Sequence, residues 1–318
     1  MAVRKTLVAI ALLSIACSSN EETKATPTSE AGPTSEEADA AVENDAGGPP
    51  IDSGSSPLAK RPYAKTVPSK YDATKPTPLV VLLHGYGASA KIQDDYFKMS
   101  ALAEAETFLL ALPDGTEDAS GKKYWSATDA CCDFLGQKMD DVGYISEVIQ
   151  DMKQKHNVDA KRVYLVGHSN GGFMANAFAC ARANEVASFV SLAGANYLDP
   201  SKCNPSEPVA VLQVHGDTDD TVSYTGGSLF PGGPTIPSAT ATIATWAAKN
   251  GCDATLATTN ETLDLVTNIA AAETTVARHQ CTKGAAELWT IVGGGHIPTF
   301  QTTWAKTIYD WLMAHPKP

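Results

Sequence analysis

The sequence predicts an α/β domain built on a mostly parallel central sheet flanked by helices. Short apolar runs stop at glycines, longer amphipathic stretches separate them, and 43% of the 318 residues are hydrophobic, enough for one large core. The strand runs are residues 79–83, 108–112, 162–166, 188–193, 209–214 and 287–292. Helical spacing falls at 92–104, 142–155, 172–182, 239–249 and 301–314, so strands and helices alternate through residues 58–318, read as one domain. In such a sheet the functional residues sit in loops past the carboxyl ends of the strands.

Two segments precede that domain. Arg4 and Lys5 stand before an apolar run, residues 7–16, too short to cross a bilayer, which predicts an export signal over residues 1–17. Its end, Ser14-Ile15-Ala16-Cys17, is similar to the lipidation site of a bacterial lipoprotein, although Ser14 replaces the usual aliphatic residue. Cys17 is the candidate for lipidation, and simple secretion is the alternative. The expected location is an outer-membrane or cell-surface lipoprotein, or the secreted fraction, with membrane contact through the lipid alone. Residues 18–57 have almost no large apolar side chain and cannot offset the entropy of ordering, so they read as a disordered acidic linker.

Charge narrows the partners. The net charge is −12; nine carboxylates against Lys24 within residues 18–57 account for −8, and Arg4 and Lys5 for +2, which leaves −6 elsewhere. No basic face for phosphate is available, so nucleic acid is not an expected partner. A neutral or weakly charged substrate and a monomeric protein are expected. Apart from Cys17 there are six cysteines, Cys131, Cys132, Cys180, Cys203, Cys252 and Cys281, an even number that in an oxidising compartment favours three disulfides. No Cys or His pair repeats the spacing of a zinc site, and no metal is expected.

The chemistry starts at the strand 162–166, which runs into Gly167-His168-Ser169-Asn170-Gly171-Gly172 and then a helix. This is a nucleophile elbow: the turn is so tight that positions two before and two after the Ser must lack bulk, and the hydroxyl is pushed above the sheet. Ser169 needs a base, with chain order Ser, acid, His. His315 lies beside the terminal prolines, and His279 precedes Gln280 and Cys281, where a surface position is expected. His296 follows a strand and Gly293-Gly294-Gly295, a loop free to bring an imidazole over the serine, and is the base. The acid comes from the end of strand 209–214, where Asp217, Asp219 and Asp220 are available. Two amides should form the oxyanion hole, Asn170 next to the nucleophile and Tyr86 in His84-Gly85-Tyr86-Gly87 after the first strand. His84 and His215 read as loop-packing residues.

Taken together, these pieces resemble the esterase family that groups poly(3-hydroxybutyrate) depolymerases with feruloyl and acetylxylan esterases. The likeness runs from Leu79 to His296. It rests on Pro78 through Gly85, Pro113-Asp114-Gly115, Trp125 with Cys131-Cys132, Asp140 through Gly143, Arg162 through Gly172, His215-Gly216 with Asp219, and Gly293 through His296. The resemblance implies an α/β-hydrolase fold, no cofactor, and ester hydrolysis. The substrates it implies are esters of plant polysaccharides or polyesters; a catalytically inactive hydrolase-fold binding protein is the reading of another class. The H-G-x-x-D-x-x-V pattern of such proteins selects Asp219 as the acid, with Asp217 second. The family also implies a Cys252–Cys281 disulfide. Because a bridge between neighbours is strained, Cys131 and Cys132 are then expected to pair with Cys180 and Cys203. Many members carry a Trp soon after the His, where this chain has Ile297-Pro298-Thr299-Phe300, so the pocket is expected to differ. Tyr86 and Trp125 are the candidates for its substrate-binding wall, with a packed core position the equal alternative for Trp125.

Overall fold

A computed structural model describes residues 57–318 of the chain. The export signal 1–17, with Cys17, and the linker up to residue 56 lie outside the described residues. Nine strands form the main sheet: β1 (Ala64–Thr66), β2 (Thr77–Leu83), β3 (Leu109–Leu112), β4 (Val158–His168), β5 (Ser188–Leu192), β6 (Ala210–Gly216), β7 (Ala257–Leu263), β8 (Thr274–Arg278) and β9 (Ala285–Ile291). Their order is β1-β3-β2-β4-β5-β6-β9-β8-β7. The run from β3 to β9 is parallel throughout, while β1 at one edge and β8 and β7 at the other are antiparallel.

The strands β2, β3, β5 and β6 are buried at every position, which accounts for continuous apolar runs in place of alternation. Successive side chains nonetheless serve opposite faces. Leu79, Val81 and Leu83 join a core with α3 (Asp141–Lys155), α4 (Asn170–Ala181) and α5 (Ala239–Lys249). Val80 and Leu82 join the other core with α1 (Ala90–Phe97), α2 (Met99–Glu106) and α6 (Trp304–Met313).

Three differences from the sequence reading have local causes. The helix expected at 92–104 is two helices: Lys98 turns left-handed (φ 61°), and the Asp94 carboxylate accepts from the Ser100 amide at 2.8 Å to start the second. The hairpin of β7 and β8 was not anticipated. β7 reads ATTNETL and is mostly exposed, so it has no apolar signature. The third concerns the disulfides, which are Cys131–Cys132, Cys180–Cys203 and Cys252–Cys281. The pairing of Cys131 and Cys132 with Cys180 and Cys203 is therefore corrected. Cys131 lies at the start of α4, where Asn170 Nδ2 reaches its sulfur at 3.6 Å. Cys180 is ten residues further along that helix, about 15 Å away at the α-helical rise and outside the span of a bridge.

Candidate active site

Ser169 follows β4 directly and caps α4 with φ 54° and ψ −122°, a conformation that a non-glycine residue adopts only when its surroundings impose it. Those surroundings are identifiable. A Cβ on Gly167 would stand 2.1 Å from the Gly171 carbonyl oxygen, and one on Gly171 would stand 2.2 Å from the Leu83 carbonyl oxygen in β2. The Ser169 amide donates to the Leu192 carbonyl at 2.8 Å, and the Ser169 carbonyl accepts from Phe173 at 3.0 Å as the first bond of α4. The serine is thus held from the strand side and the helix side at once.

Over that serine stands His296. Its Nε2 is 3.0 Å from Ser169 Oγ, and its Nδ1 is 2.8 Å from Asp219 Oδ2. With Nδ1–H donating to the carboxylate, Nε2 is left to accept from the hydroxyl. The His296 side chain is 12% exposed and that of Asp219 is buried, so solvent reaches the imidazole and not its partner. Asp219 Oδ1 accepts from the amides of Thr221 (2.9 Å) and Val222 (2.8 Å). Burial pushes the Asp219 pKa up, but the bonds from His215 and His296 outweigh it and hold the carboxyl well below the usual range. Of the other two carboxylates, Asp217 accepts from the Gly293 amide at 2.7 Å, and Asp220 takes only the Thr221 hydroxyl at 3.2 Å. Neither of these bonds involves the imidazole. Asp217 instead clasps the His296 loop, helped by Thr218, whose amide and hydroxyl both donate to the Gly294 carbonyl. Gly216 permits this clasp, since a Cβ there would meet the Gly294 oxygen at 2.2 Å.

The other histidines sort by what they bond. His84 is buried, with Nδ1 donating to the Gly85 carbonyl (2.8 Å) and Nε2 accepting from the Gly115 amide (2.9 Å), a loop-packing arrangement. His215 accepts from Gln213 at 3.1 Å, which leaves Nε2–H to donate to the Val222 carbonyl at 2.7 Å, and Nε2 is 3.3 Å from Asp219 Oδ2. It therefore supports the acid as well as its loop. His168 was not singled out from the sequence. Its Nε2 donates to the His296 carbonyl at 3.0 Å, and burial, then the neighbouring His296, lowers its pKa to about 4, so it is a neutral donor that fixes the backbone of the base. A residue between the glycine and serine of an elbow has no composition signal for such a role. His279, expected on the surface, is buried and bonds the Asp253 carbonyl through Nδ1 at 2.8 Å.

The first loop lies against the elbow. A Cβ on Gly85 would be 3.4 Å from the Ser169 Cβ, which places the following residue, Tyr86, at the mouth of the site. Tyr86 is 37% exposed and its hydroxyl donates to Asp118 at 2.7 Å. Trp125 is corrected as a wall of the pocket: it is fully buried, and its indole N–H donates to the His84 carbonyl at 2.9 Å. Its backbone is gripped by the Asn170 side chain, whose Oδ1 accepts from the Trp125 amide (2.7 Å) and whose Nδ2 donates to the Trp125 carbonyl (3.0 Å). The sequence assigned Asn170 a backbone role only; its side chain also anchors the loop that follows β3.

The chain is 33% identical over 46% of its length to a bifunctional acetylxylan esterase/xylanase of Neocallimastix patriciarum, covering 20% of that protein. It is 30% identical over 58% of its length to a feruloyl esterase B of Piromyces equi, covering 34% of it. The chain thus spans about a third or less of the length of these two relatives. Among solved structures, an acetyl xylan esterase from Aspergillus awamori superposes with a TM-score of 0.53 at 14% identity, covering 78% of this chain and 92% of that one, a likeness of fold. The family model described as Phospholipase/Carboxylesterase matches residues 67–231, just over half of the chain and the part that holds β2, the elbow and the Asp219 loop. The chain belongs to this phospholipase/carboxylesterase family of α/β-hydrolases.

Proposed function

We propose that the protein is an exported serine carboxylic-ester hydrolase that works through an acyl-enzyme, with esters of plant polysaccharides as its substrates. The observation that carries this reading is the continuous relay Ser169 Oγ, His296, Asp219 at 3.0 and 2.8 Å, which is the geometry that proton transfer from a nucleophile requires. Ser169 Oγ attacks the ester carbonyl carbon while its proton passes to His296 Nε2. Asp219 stabilises the resulting imidazolium, and the amides of Asn170 and Tyr86 face the oxyanion, with the amino end of α4 adding its dipole. Collapse breaks the bond to the alcohol, which leaves with the proton from His296. Water then attacks the acyl–Ser169 ester, giving its proton to His296, and the acid departs as Ser169 regains its hydrogen.

The polysaccharide side of the proposal draws on the relatives named for acetylxylan and feruloyl esters. Export draws on the three disulfides, which suit an oxidising compartment, and lipidation at Cys17 remains part of the proposal. The test is kinetic. Ser169→Ala should keep the fold and lower kcat on methyl ferulate and acetylated xylan by about a million-fold. Retention of wild-type turnover in that variant would exclude the mechanism.

A further inference from the structure

An open groove of about 640 Å³ is left unused by the proposed chemistry. Residues of the segment 126–138 form one side, with Tyr197, Phe230 and the turn 232–234 on the other. It joins the candidate active site at two points. Cys131, in the groove wall, accepts from the side-chain amide of Asn170, the residue next to Ser169. Tyr86, which follows the glycine packed on Ser169, meets the Phe134 ring with centres 5.8 Å apart, and Phe134 meets Phe230 at 5.6 Å. An aromatic ladder therefore leads from the mouth of the site along the groove.

These residues are 37%, 48% and 46% exposed in the order Tyr86, Phe134, Phe230, which leaves surface open to a ligand. Between them the groove is lined by Ser126 and Lys138 and by the carboxylates of Asp129, paired with Lys202, and Asp133, which accepts from the Gln137 and Lys138 amides. Ring faces set among hydroxyl and carboxylate groups match a saccharide, which shows C–H groups on its faces and hydroxyls at its edges. A polyester, whose ester oxygens only accept, offers no donor to these carboxylates.

We infer that this groove holds the saccharide chain bearing the scissile ester, with Phe134 and Phe230 as its stacking surfaces. The inference rests on the ester-hydrolase reading, and the test separates the two. In the Phe134→Ala/Phe230→Ala double variant, kcat/KM on a feruloylated xylo-oligosaccharide should fall about tenfold relative to kcat/KM on p-nitrophenyl acetate, through KM. Calorimetry with an unesterified xylo-oligosaccharide, run on full-length Ser169→Ala protein, should show binding that the two Phe substitutions weaken by a similar factor. An unchanged ratio together with unchanged binding would overturn the groove assignment, as would the absence of binding before substitution. Loss of adsorption to a polyhydroxybutyrate film with no change in saccharide binding would assign the groove to a polyester instead. Full esterase activity in Ser169→Ala would sink the hydrolase reading, while the calorimetric result would still decide the groove.

Discussion

The elbow at 167–172 and the excursion between β3 and α3 meet at Asn170, next to the serine, yet are held by different means. In the elbow the fold is imposed by backbone contact: Gly167 and Gly171 lie so close to neighbouring carbonyls that no side chain fits. In the excursion the backbone is tied by side chains from elsewhere. Arg61 bonds Thr116 and Asp141 at 2.6 Å each and lies over the Tyr144 ring at 3.7 Å, Asp141 accepts from the Ser126 amide at 2.7 Å, and Asn170 grips Trp125. A region fixed by sterics announces itself in the sequence as glycine. A region fixed by distant side chains gives no local sign.

The sharpest way to break this comparison is to add one methyl group to each region. Gly171→Ala drives a Cβ into the β2 backbone and should cost more than about 4 kcal/mol, seen as loss of soluble folded protein. Gly136→Ala, in the excursion, meets nothing within 4 Å and strains only a positive φ of 66°, so about 1 kcal/mol is expected. Similar melting temperatures for the two variants would contradict the distinction. Removal of a tether should come next in size. Asn170→Ala leaves the Trp125 amide unpaired in a buried place, while the carbonyl keeps its bond from the Cys132 amide, for about 3 kcal/mol in urea unfolding, with turnover falling as the loop shifts. A loss under about 1 kcal/mol would show that the excursion is held by other contacts.

Acid should separate the regions more gently. His168 and His84, both beside the elbow, have pKa values lowered chiefly by burial, His168 to about 4. An unfolded chain takes up these protons near 6.5, so between pH 6.5 and 4 it holds more protons than the fold, and stability declines as pH falls through that window. His168 contributes a loss on the order of 3 kcal/mol across it. Asp118, which shapes the turn at 118–122 in the excursion, is shifted downward by its bonds from Ser120 and Tyr86 and stays charged over the same window. Urea midpoints at pH 7, 5.5 and 4.5 should fall in wild type and fall less in His168→Asn; equal slopes would contradict the account.

The same contrast explains what the sequence disclosed. The parallel strands, the elbow and the residues Ser169, Asp219 and His296, now within hydrogen-bonding reach, were all readable, because apolar runs and glycines mark strand ends. The helix break at Lys98 was not, since it depends on one left-handed residue and the Asp94 carboxylate. For Trp125 the sequence left pocket wall and core open, because burial of an aromatic is decided by Asn170, His84 and Tyr144, which are remote in sequence. The Cys131–Cys132 pairing was missed for a similar reason: the competing partners are kept apart by the length of α4, which spacing alone does not reveal. Phe134 and Phe230 carried no motif at all; only their meeting beside Tyr86 gives them meaning.

The central claim is that Ser169 Oγ is the atom that becomes acylated. Intact-mass and peptide mass spectrometry after treatment with a fluorophosphonate tests it directly. The account predicts one adduct per chain, located at Ser169 and abolished by His296→Ala; a protein that stays unmodified, or an adduct on any other residue, would contradict it.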